Sequence, residues 1–282
     1  MTLDDITNDL INGHKGWQDF ADFSALSNTV FDYNILKKDG IIFSSQDFID
    51  FLFQNLKFSN RKYILITCMS DYFVDRARWF RKPNCIKKWY STKIEYDHPD
   101  AIQIPIGFAA TSDFPNSEQI YSDWFRDNVK RFRSIEKDEK TVYCNYMIDH
   151  YRPDRSQVAP KMITNGVKCF TPEDKKTING KLVFPDYCED MAKYKFIASP
   201  PGNGWDSNRT WDALYVNSIP IVIKHKIYKD YKNLPILEVN DYSDVTPKLL
   251  EDYLEYCKTQ VFDYDVASLS YWKKKMLSEL KN

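Results

Sequence analysis

Short apolar runs alternate with longer amphipathic stretches along most of this 282-residue chain. The runs have the length of buried strands, and the stretches repeat apolar residues with the period of a helix. Strands that alternate with helices in this way are typical of α/β proteins with parallel sheets. The pattern predicts strands at Lys62–Thr67, Ala101–Ile106, Thr141–Tyr146, Val167–Phe170, Phe196–Ser199, Ile219–Ile223 and Pro235–Val239.

The predicted helices lie between and after these strands. The first covers Ser44–Leu56, and Ser44, three residues before Asp47, is its predicted cap. Further helical patterns cover Ser117–Phe132, Asp186–Lys193, Asn208–Val216, Pro247–Lys258 and Ala267–Leu280.

The segment Arg133–Lys140 is charged, poor in apolar residues and therefore the predicted linker. The alternation of strands and helices resumes after it, which favours two α/β domains over one continuous sheet. We expect two Rossmann-like domains, an N-terminal one over residues 1–137 and a C-terminal one over residues 138–282. The final helix is expected to pack back on the N-terminal domain.

Charge and cysteine content narrow the possible functions. The 39 Lys and Arg residues are balanced by 40 Asp and Glu residues, so the chain lacks the basic excess of nucleic-acid-binding proteins. No two of the six cysteines form a Cys-x-x-Cys pair, which argues against a zinc site and for free thiols in a reducing compartment. The apolar runs are too short to cross a bilayer, so we expect no membrane span and a cytoplasmic location.

The most informative segment covers residues 193–223. Its strand, Phe196–Ser199, ends in Pro200-Pro-Gly-Asn-Gly204, where the prolines end the strand and the glycines permit positive φ and a close approach of a ligand. Ser207 or Asn208 then caps a helix. A helix N-terminus that follows a strand and a glycine-bearing loop is a favourable site for a phosphate group.

Two charged residues lie at the start of this helix. Arg209 lies in the first turn, where its guanidinium can pair with a diphosphate. Asp212 follows three residues later on the same face and can accept hydrogen bonds from ribose hydroxyls. The alternative is a surface ion pair between Arg209 and Asp212 in a plain strand–loop–helix unit. The full dinucleotide and P-loop signatures are absent, so the glycines alone do not decide between the two.

Three stretches of this segment together resemble the donor-binding core of exostosin-like glycosyltransferases. They are Lys195-Phe-Ile-Ala-Ser-Pro-Pro-Gly202, Ser207-Asn-Arg-Thr-Trp-Asp-Ala-Leu214 and Ser218-Ile-Pro-Ile-Val222. The family pattern has Glu where this chain has Asp212 and Gly where it has Ser218. The first difference keeps the carboxylate, and the second keeps a small residue. In size, and in the absence of an anchor, the chain resembles exostosin-like enzymes of large DNA viruses, which include xylosyl-type transferases.

The resemblance implies a GT-B fold, in which two Rossmann-like domains face each other across a cleft. It implies an inverting transfer of a sugar, xylose as the first choice, from a UDP-sugar to a glycan hydroxyl, in the host cytoplasm if the protein is viral. The helix N-terminus with Arg209 would stabilise the departing diphosphate. We therefore expect no tightly bound cofactor and no essential divalent metal.

A polar loop with arginines follows the strand Thr141–Tyr146. In the resembling family such a loop faces the diphosphate, whereas the alternative here is a solvated turn. The resemblance thus extends the predicted donor site. Its residues are Asn145, Arg152, Arg155, Ser199, Pro200, Gly202, Ser207, Asn208, Arg209 and Asp212.

An inverting transfer needs a base for the acceptor hydroxyl, and carboxylates commonly serve. Such a base is expected at the carboxyl end of a strand in the N-terminal domain. Asp71 directly follows an apolar strand there, and Asp113 follows the next predicted strand. The alternative for Asp71 is that it caps a helix over Tyr72–Phe80.

Two other functions stay open. A nucleotide- or glycan-binding module would use the same donor residues without turnover. A metal-dependent GT-A transferase would hold a divalent ion with an Asp-x-Asp motif, and Asp263-Tyr-Asp265 matches that motif by letter. Because this motif precedes the last helix and does not close an early strand, we interpret it as an acidic helix start and predict no metal ligands.

Overall fold

The computed structural model describes residues 1–27, 30–68, 70–109, 117–148, 152–172, 177–178, 181–182 and 184–281. The chain divides into two compact units. The first unit consists of Ile11–Ile106 and Ser268–Asn282, and the second unit of Met1–Leu10 and Gly107–Ala267. Each is an α/β unit built on a largely parallel sheet.

In chain order the strands are β1 (Phe23–Ser27), β2 (Val30–Phe31), β3 (Gly40–Ser45), β4 (Tyr63–Cys68), β5 (Ile86–Ser91), β6 (Ala101–Gln103), β7 (Asp138–Tyr143), β8 (Lys168–Phe170), β9 (Thr177–Ile178), β10 (Lys181–Leu182), β11 (Tyr194–Ala198), β12 (Ile219–Ile223) and β13 (Leu237–Val239). The α-helices are α1 (Gly13–Phe20), α2 (Ile49–Leu56), α3 (Arg76–Arg81), α4 (Ser117–Ser134), α5 (Val158–Thr164), α6 (Phe184–Met191), α7 (Asn208–Tyr215), α8 (Pro247–Thr259) and α9 (Leu269–Lys281). No helix among the described residues is both long and apolar enough to cross a membrane.

The sheet of the first unit has the strand order β2-β1-β3-β4-β5-β6. Its strands are parallel except for β2, which pairs antiparallel with β1. From β1 to β6 each new parallel strand is added on the same side of the previous one. The strand order of this sheet therefore never reverses after β1.

Both faces of this sheet are covered. Every residue of β3 and β4 is buried, as expected for parallel strands with packing on two sides. Trp89 of β5 packs in a core cluster with side chains of α2 and α3. Its neighbour Tyr90 points to the opposite face and contacts Trp272 of α9, with ring centroids 6.2 Å apart. The final helix is thus part of the unit that contains β1 to β6.

The sheet of the second unit has the order β13-β12-β11-β7-β8, and all its pairs are parallel. Val142 of β7, Phe196 of β11 and Ile221 of β12 are buried in its core. Met162 of α5 and Leu250 of α8 pack in the same cluster. The alternation of strands and helices that the sequence predicted therefore corresponds to two α/β units with parallel sheets.

The structure divides the chain between Ile106 and Gly107, whereas the sequence analysis placed the boundary at residue 137. The strands of the first sheet all precede residue 137, but α4 belongs to the second unit. The segment Arg133–Lys140 is not a linker, because it contains the end of α4 and the start of β7. β7 begins at Asp138 because its polar first residues pair with β11, opposite Tyr194.

The predicted cap at Ser44 is displaced by one residue. Ser44 lies inside β3, and its hydroxyl donates a hydrogen bond to the carbonyl of Ala25 at 2.7 Å. The hydroxyl of Ser45 instead accepts a hydrogen bond from the backbone N–H of Asp47 at 3.2 Å, at the start of a short 3₁₀ turn that leads into α2. The strand, which the sequence analysis missed, continues one residue beyond the predicted cap.

The predicted helix over Tyr72–Phe80 begins later, at Arg76 of α3. Val74 pairs with Ile94 in a parallel β-bridge, which keeps the preceding residues extended. The N-cap is Asp75, whose carboxylate accepts a hydrogen bond from the backbone N–H of Arg78 at 2.7 Å. The alternative role of Asp71 as a helix cap is therefore wrong.

Replacing Asp75 tests this assignment. Asp75→Ala removes the acceptor at the N-terminus of α3 and should lower the free energy of unfolding by about 0.5–2 kcal/mol. Asp71→Ala is the matched control, and loss of its exposed ion pair should cost at most about 1 kcal/mol. Urea unfolding of the two variants measures both values. A larger loss for Asp71→Ala than for Asp75→Ala would contradict the assignment.

Candidate functional site

The strand order of the second unit reverses at β7. After β7 the chain forms β8 on one side of it and then β11, β12 and β13 on the other. In open α/β sheets, ligands bind beyond the carboxyl ends of the strands where the order reverses. The loops that follow β7 and β11 meet at this point, and the second of them contains the exostosin-like motif. The motif therefore lies at the ligand-binding position typical of this architecture.

The loop after β11 starts as a buried segment. Ser199 is 2% exposed, its N–H donates to the carbonyl of Ile221 at 2.9 Å, and its hydroxyl shares a hydrogen bond with Thr210 at 2.9 Å. Pro200 is also buried, whereas Pro201 and Gly202 are half-buried. Ser199 and Pro200 thus anchor the loop to β12 and α7, and the residues after them reach the surface.

Gly202 lies close to the end of the Arg155 side chain. A Cβ atom at this position would lie 3.3 Å from Nη2 of Arg155, which is tighter than an ordinary contact. Positive φ occurs among the described glycines at Gly13, Gly107 and Gly166, so Gly202 and Gly204 do not adopt the positive φ that glycine permits.

Arg152 and Arg155 bind this loop through its backbone. Arg155 is 9% exposed and donates to the carbonyl of Pro201 from Nε at 3.1 Å and Nη2 at 2.9 Å, and to the carbonyl of Met147 from Nη1 at 2.9 Å. Arg152 donates to the carbonyl of Gly202 and pairs with Asp154 at 2.7 Å. The solvated-turn alternative is therefore wrong. Both arginines lie beside the loop after β11, and these hydrogen bonds hold its backbone.

Asn145 also lies at this edge, just beyond β7. It is half-buried, and its Nδ2 donates to the hydroxyl of Tyr143 at 2.9 Å. Its side chain is thus bonded back to its own strand.

The start of α7 is held by the segment that follows β6. Ser207 occupies the N-cap position, but its side chain makes no capping hydrogen bond. Nδ2 of Asn208 donates to the carbonyl of Gly107 at 2.9 Å. Gly107 has a φ of 78°, a left-handed conformation that favours glycine. Ser207 is therefore an N-cap by position only, and Asn208 fastens the helix start to Gly107.

Asp212 is buried, with 1% of its surface exposed. Its Oδ1 accepts from the backbone N–H of Ala109 at 3.0 Å, and its Oδ2 accepts from the hydroxyl of Tyr187 at 3.0 Å. Burial raises the pKa of this carboxyl to about 7, although both hydrogen bonds and the charge of Arg209 oppose the rise. The alternative of a surface ion pair is therefore wrong. A contact with ribose hydroxyls is not supported by this geometry, because both oxygens face protein donors.

Arg209 is the residue of the motif whose donors are least satisfied. Its guanidinium lies 6.0 Å from the ring centroid of Tyr146, within cation–π distance. Its Nε atom is buried and has no hydrogen-bond partner among the residues that the structure describes. Because an unpartnered buried donor typically costs about 1–3 kcal/mol, an acceptor from a ligand would be strongly favoured here.

Trp205 and His225 form an aromatic surface at the same edge, which was not predicted from the sequence. Their rings stack with centroids 4.3 Å apart and an interplanar angle of 9°. Trp205 is 38% exposed, and the hydroxyl of Tyr228 holds its carbonyl at 3.0 Å. Burial lowers the pKa of His225. A tryptophan inside a glycine- and proline-rich loop was the available sequence signal for a stacking surface.

In the first unit, Asp71 lies beyond the carboxyl end of β4. It is 76% exposed and pairs with Nζ of Lys93 at 3.1 Å. Asp47, beyond β3, is a second carboxylate at this edge, and it accepts from the hydroxyls of Ser45 at 3.0 Å and Ser70 at 3.3 Å. The sequence analysis missed Asp47 as a candidate base because it assigned that residue to a helix cap. Asp113 lies outside the described residues.

Metal binding finds no support in the described part of the chain, where no group of three or more His, Cys, Asp or Glu side chains is placed to hold an ion. Asp263 and Asp265, the Asp-x-Asp pair, both accept hydrogen bonds from the ammonium of Met1, at 2.8 and 2.7 Å. These carboxylates therefore bind the amino terminus.

Comparison with known proteins adds no family assignment. No protein-family model matches this sequence, and no curated protein matches it at a significant level. The resemblance to exostosin-like transferases therefore rests on the motif residues and on their place in the sheet.

The raised pKa of Asp212 predicts a measurable dependence of stability on pH. The carboxyl has a reference pKa of 3.8 and a folded value of about 7, so the folded protein binds this proton more tightly. Its contribution to stability is complete below pH 3.8 and is lost as the pH rises towards 7.

Asp212→Asn removes this dependence and leaves other titrations in place. The free energy of unfolding of the variant, relative to that of the native protein, should rise by up to about 4 kcal/mol between pH 4 and pH 8. Urea unfolding at several pH values measures the difference, with exposed Asp186→Asn as control. A difference that does not change with pH would show that Asp212 is not a buried acid.

Proposed function

We propose that this chain is an inverting glycosyltransferase that binds a UDP-sugar at the carboxyl edge of the second unit's sheet. The observation that carries the proposal is the position of Arg209. This cation has a buried Nε without a hydrogen-bond partner among the described residues, and it lies in the first turn of α7, beside the reversal of strand order. The motif that resembles a nucleotide-sugar site thus coincides with an unsatisfied donor and a favourable topology.

The chemistry needs a group that stabilises the diphosphate as it departs. Arg209 can donate charge-assisted hydrogen bonds to diphosphate oxygens, and the N-terminus of α7 adds a favourable dipole. Interactions that strengthen as charge develops on the leaving group lower the barrier. Neither contribution requires a metal ion. Trp205, exposed in the same loop, can stack on the base or the sugar of the donor.

The other motif residues support this arrangement indirectly. Arg152 and Arg155 fix the loop carbonyls of Pro201 and Gly202. Asp212 holds the backbone of Ala109 and the hydroxyl of Tyr187. We therefore propose that Asp212 positions α7, and so Arg209, rather than binding ribose.

We propose that the first and second units are the acceptor and donor domains of a GT-B transferase. In this proposal a carboxylate at the carboxyl edge of the first unit takes the proton from the acceptor hydroxyl. Asp71, just beyond β4, is the first choice, and Asp47, which is also exposed, is the second. Xylose as the transferred sugar and a glycan as the acceptor follow from the family resemblance.

Replacing Arg209 tests the donor site. Arg209→Ala should weaken binding of UDP by about 1.5–3 kcal/mol, the range for a hydrogen bond to a charged group, which is roughly 10- to 150-fold in Kd. Isothermal titration calorimetry measures both proteins. Arg131→Ala is the matched control, because Arg131 is exposed and pairs with Glu189 on α6. Unchanged affinity in a folded Arg209→Ala variant would refute the donor site.

Replacing Asp71 tests the base. Asp71→Asn should bind UDP as the native protein does but transfer sugar about 10²–10⁴-fold more slowly, the usual contribution of a general base. Transfer from a UDP-sugar panel to glycan acceptors is measured with Asp47→Asn in parallel. A loss confined to Asp47→Asn would move the base to Asp47. Binding of UDP without transfer by the native protein to any acceptor would favour a nucleotide-binding module.

A further inference from the structure

A polar groove lies at the amino-terminal edge of the second unit's sheet, opposite the proposed donor site. It has a volume of about 530 Å³ and lies where β7 and β11 begin. Basic side chains of α4, of the connection to β7, of β7 and of β11 line it: Arg133, Lys137, Lys140 and Lys195. The volume falls within the range of small-molecule sites. Nothing in the donor site uses these residues.

Two of these lysines are held in place without a carboxylate. Nζ of Lys137 donates to the carbonyl of Ala192 at 2.6 Å, and Nζ of Lys195 donates to the carbonyl of Asn217 at 3.1 Å. Within the described ranges, neither ammonium forms an ion pair with an acidic side chain. Burial lowers the pKa of both, that of Lys137 to about 7, and the charge of Lys195 contributes to this shift. The fold thus places two lysines in one groove, where each ammonium bonds to a backbone carbonyl.

Arg133 adds an unsatisfied donor to the same groove. Its side chain is 8% exposed, and its Nε donates to the carbonyl of Tyr215 at 2.8 Å. Its Nη1 pairs with Asp4 at 3.0 Å and donates to Thr7 at 2.7 Å. Its Nη2 is buried and has no partner in the part of the chain that the structure describes. The helix dipole favours a cation in the last turn of α4, where Arg133 lies. This does not account for the burial of Nη2 without a described partner.

Acidic residues line the groove as well, and the charge of Glu139 partly offsets the effect of burial on the pKa of Lys195, but no described carboxylate forms an ion pair with either lysine. The carboxylate of Asp138 accepts from the backbone N–H groups of Lys140 and Thr141, at 2.8 and 3.1 Å. Glu136 and Glu139 are exposed. A ligand with several anionic oxygens would match the remaining donors better than these side chains do.

We propose that this groove binds a phosphate-bearing small molecule through Lys137, Lys195 and Arg133. A phosphate group offers several acceptor oxygens, and the three donors come from α4, from β11 and from the connection between α4 and β7. The ligand's negative charge would also relieve the repulsion between the two lysines. The site is distinct from the UDP-sugar site, because the two lie at opposite edges of the sheet, and it does not depend on the glycosyltransferase proposal.

Pyrophosphate is a suitable probe, provided that the donor site is disabled. In the full-length Arg209→Ala protein, calorimetry should detect saturable binding of pyrophosphate at one site. Lys137→Gln and Lys195→Gln, each added to Arg209→Ala, should weaken that binding about tenfold or more, since each loses a charged donor. Lys248→Gln is the control, because Lys248 is exposed and pairs with Asp252 on α8. Thermal unfolding verifies that each variant is folded.

Two results would overturn the proposal. One is the absence of saturable pyrophosphate binding by the Arg209→Ala protein. The other is an unchanged affinity in both lysine variants, which would place any bound anion elsewhere. A failure of UDP binding by the native protein would leave this test intact, because the probe and the background variant do not require an active donor site.

Discussion

The reversal of strand order at β7 determines where the polar residues of the second unit meet. Because β8 and β11 flank β7 on opposite sides, the loops after β7 and β11 lie at the point of reversal, at the carboxyl edge of the sheet. The arginines of one loop then bind the carbonyls of the other, at Pro201 and Gly202. The strand order of the first unit does not reverse after β1. Its carboxylates, Asp47 and Asp71, therefore lie beyond strands that follow one another in a single direction across the sheet.

A second constraint is the burial of Asp212 in α7. A desolvated carboxylate is unfavourable, and here two protein donors and the nearby charge of Arg209 offset part of that cost. In return, α7 is fixed to Ala109 by Asp212 and to Gly107 by Asn208. These bonds hold α7 so that Arg209 lies beside Tyr146, where its Nε has no partner in the part of the chain that the structure describes. Pre-organised donors of this kind favour binding of an anionic leaving group.

Structural features that depend on the local pattern of residues could be predicted from the sequence. The apolar runs identified β4, β11 and β12, and the glycine-bearing motif was placed on a strand, loop and helix that the structure contains. Structural features that depend on contacts between residues far apart in the chain could not be predicted from the sequence. The burial of Asp212 follows from a hydrogen bond to Ala109, 103 residues away. The start of α3 follows from the bridge between Val74 and Ile94, which no local propensity reveals.

The central claim is that a uridine nucleotide binds where the loops after β7 and β11 meet. Hydrogen-exchange mass spectrometry with and without UDP tests the location directly, because bound backbone exchanges more slowly. The account predicts protection of peptides that cover residues 144–148 and 199–212, with little change at residues 133–140. UDP binding that protected neither of the first two stretches, or no binding at all, would contradict the account.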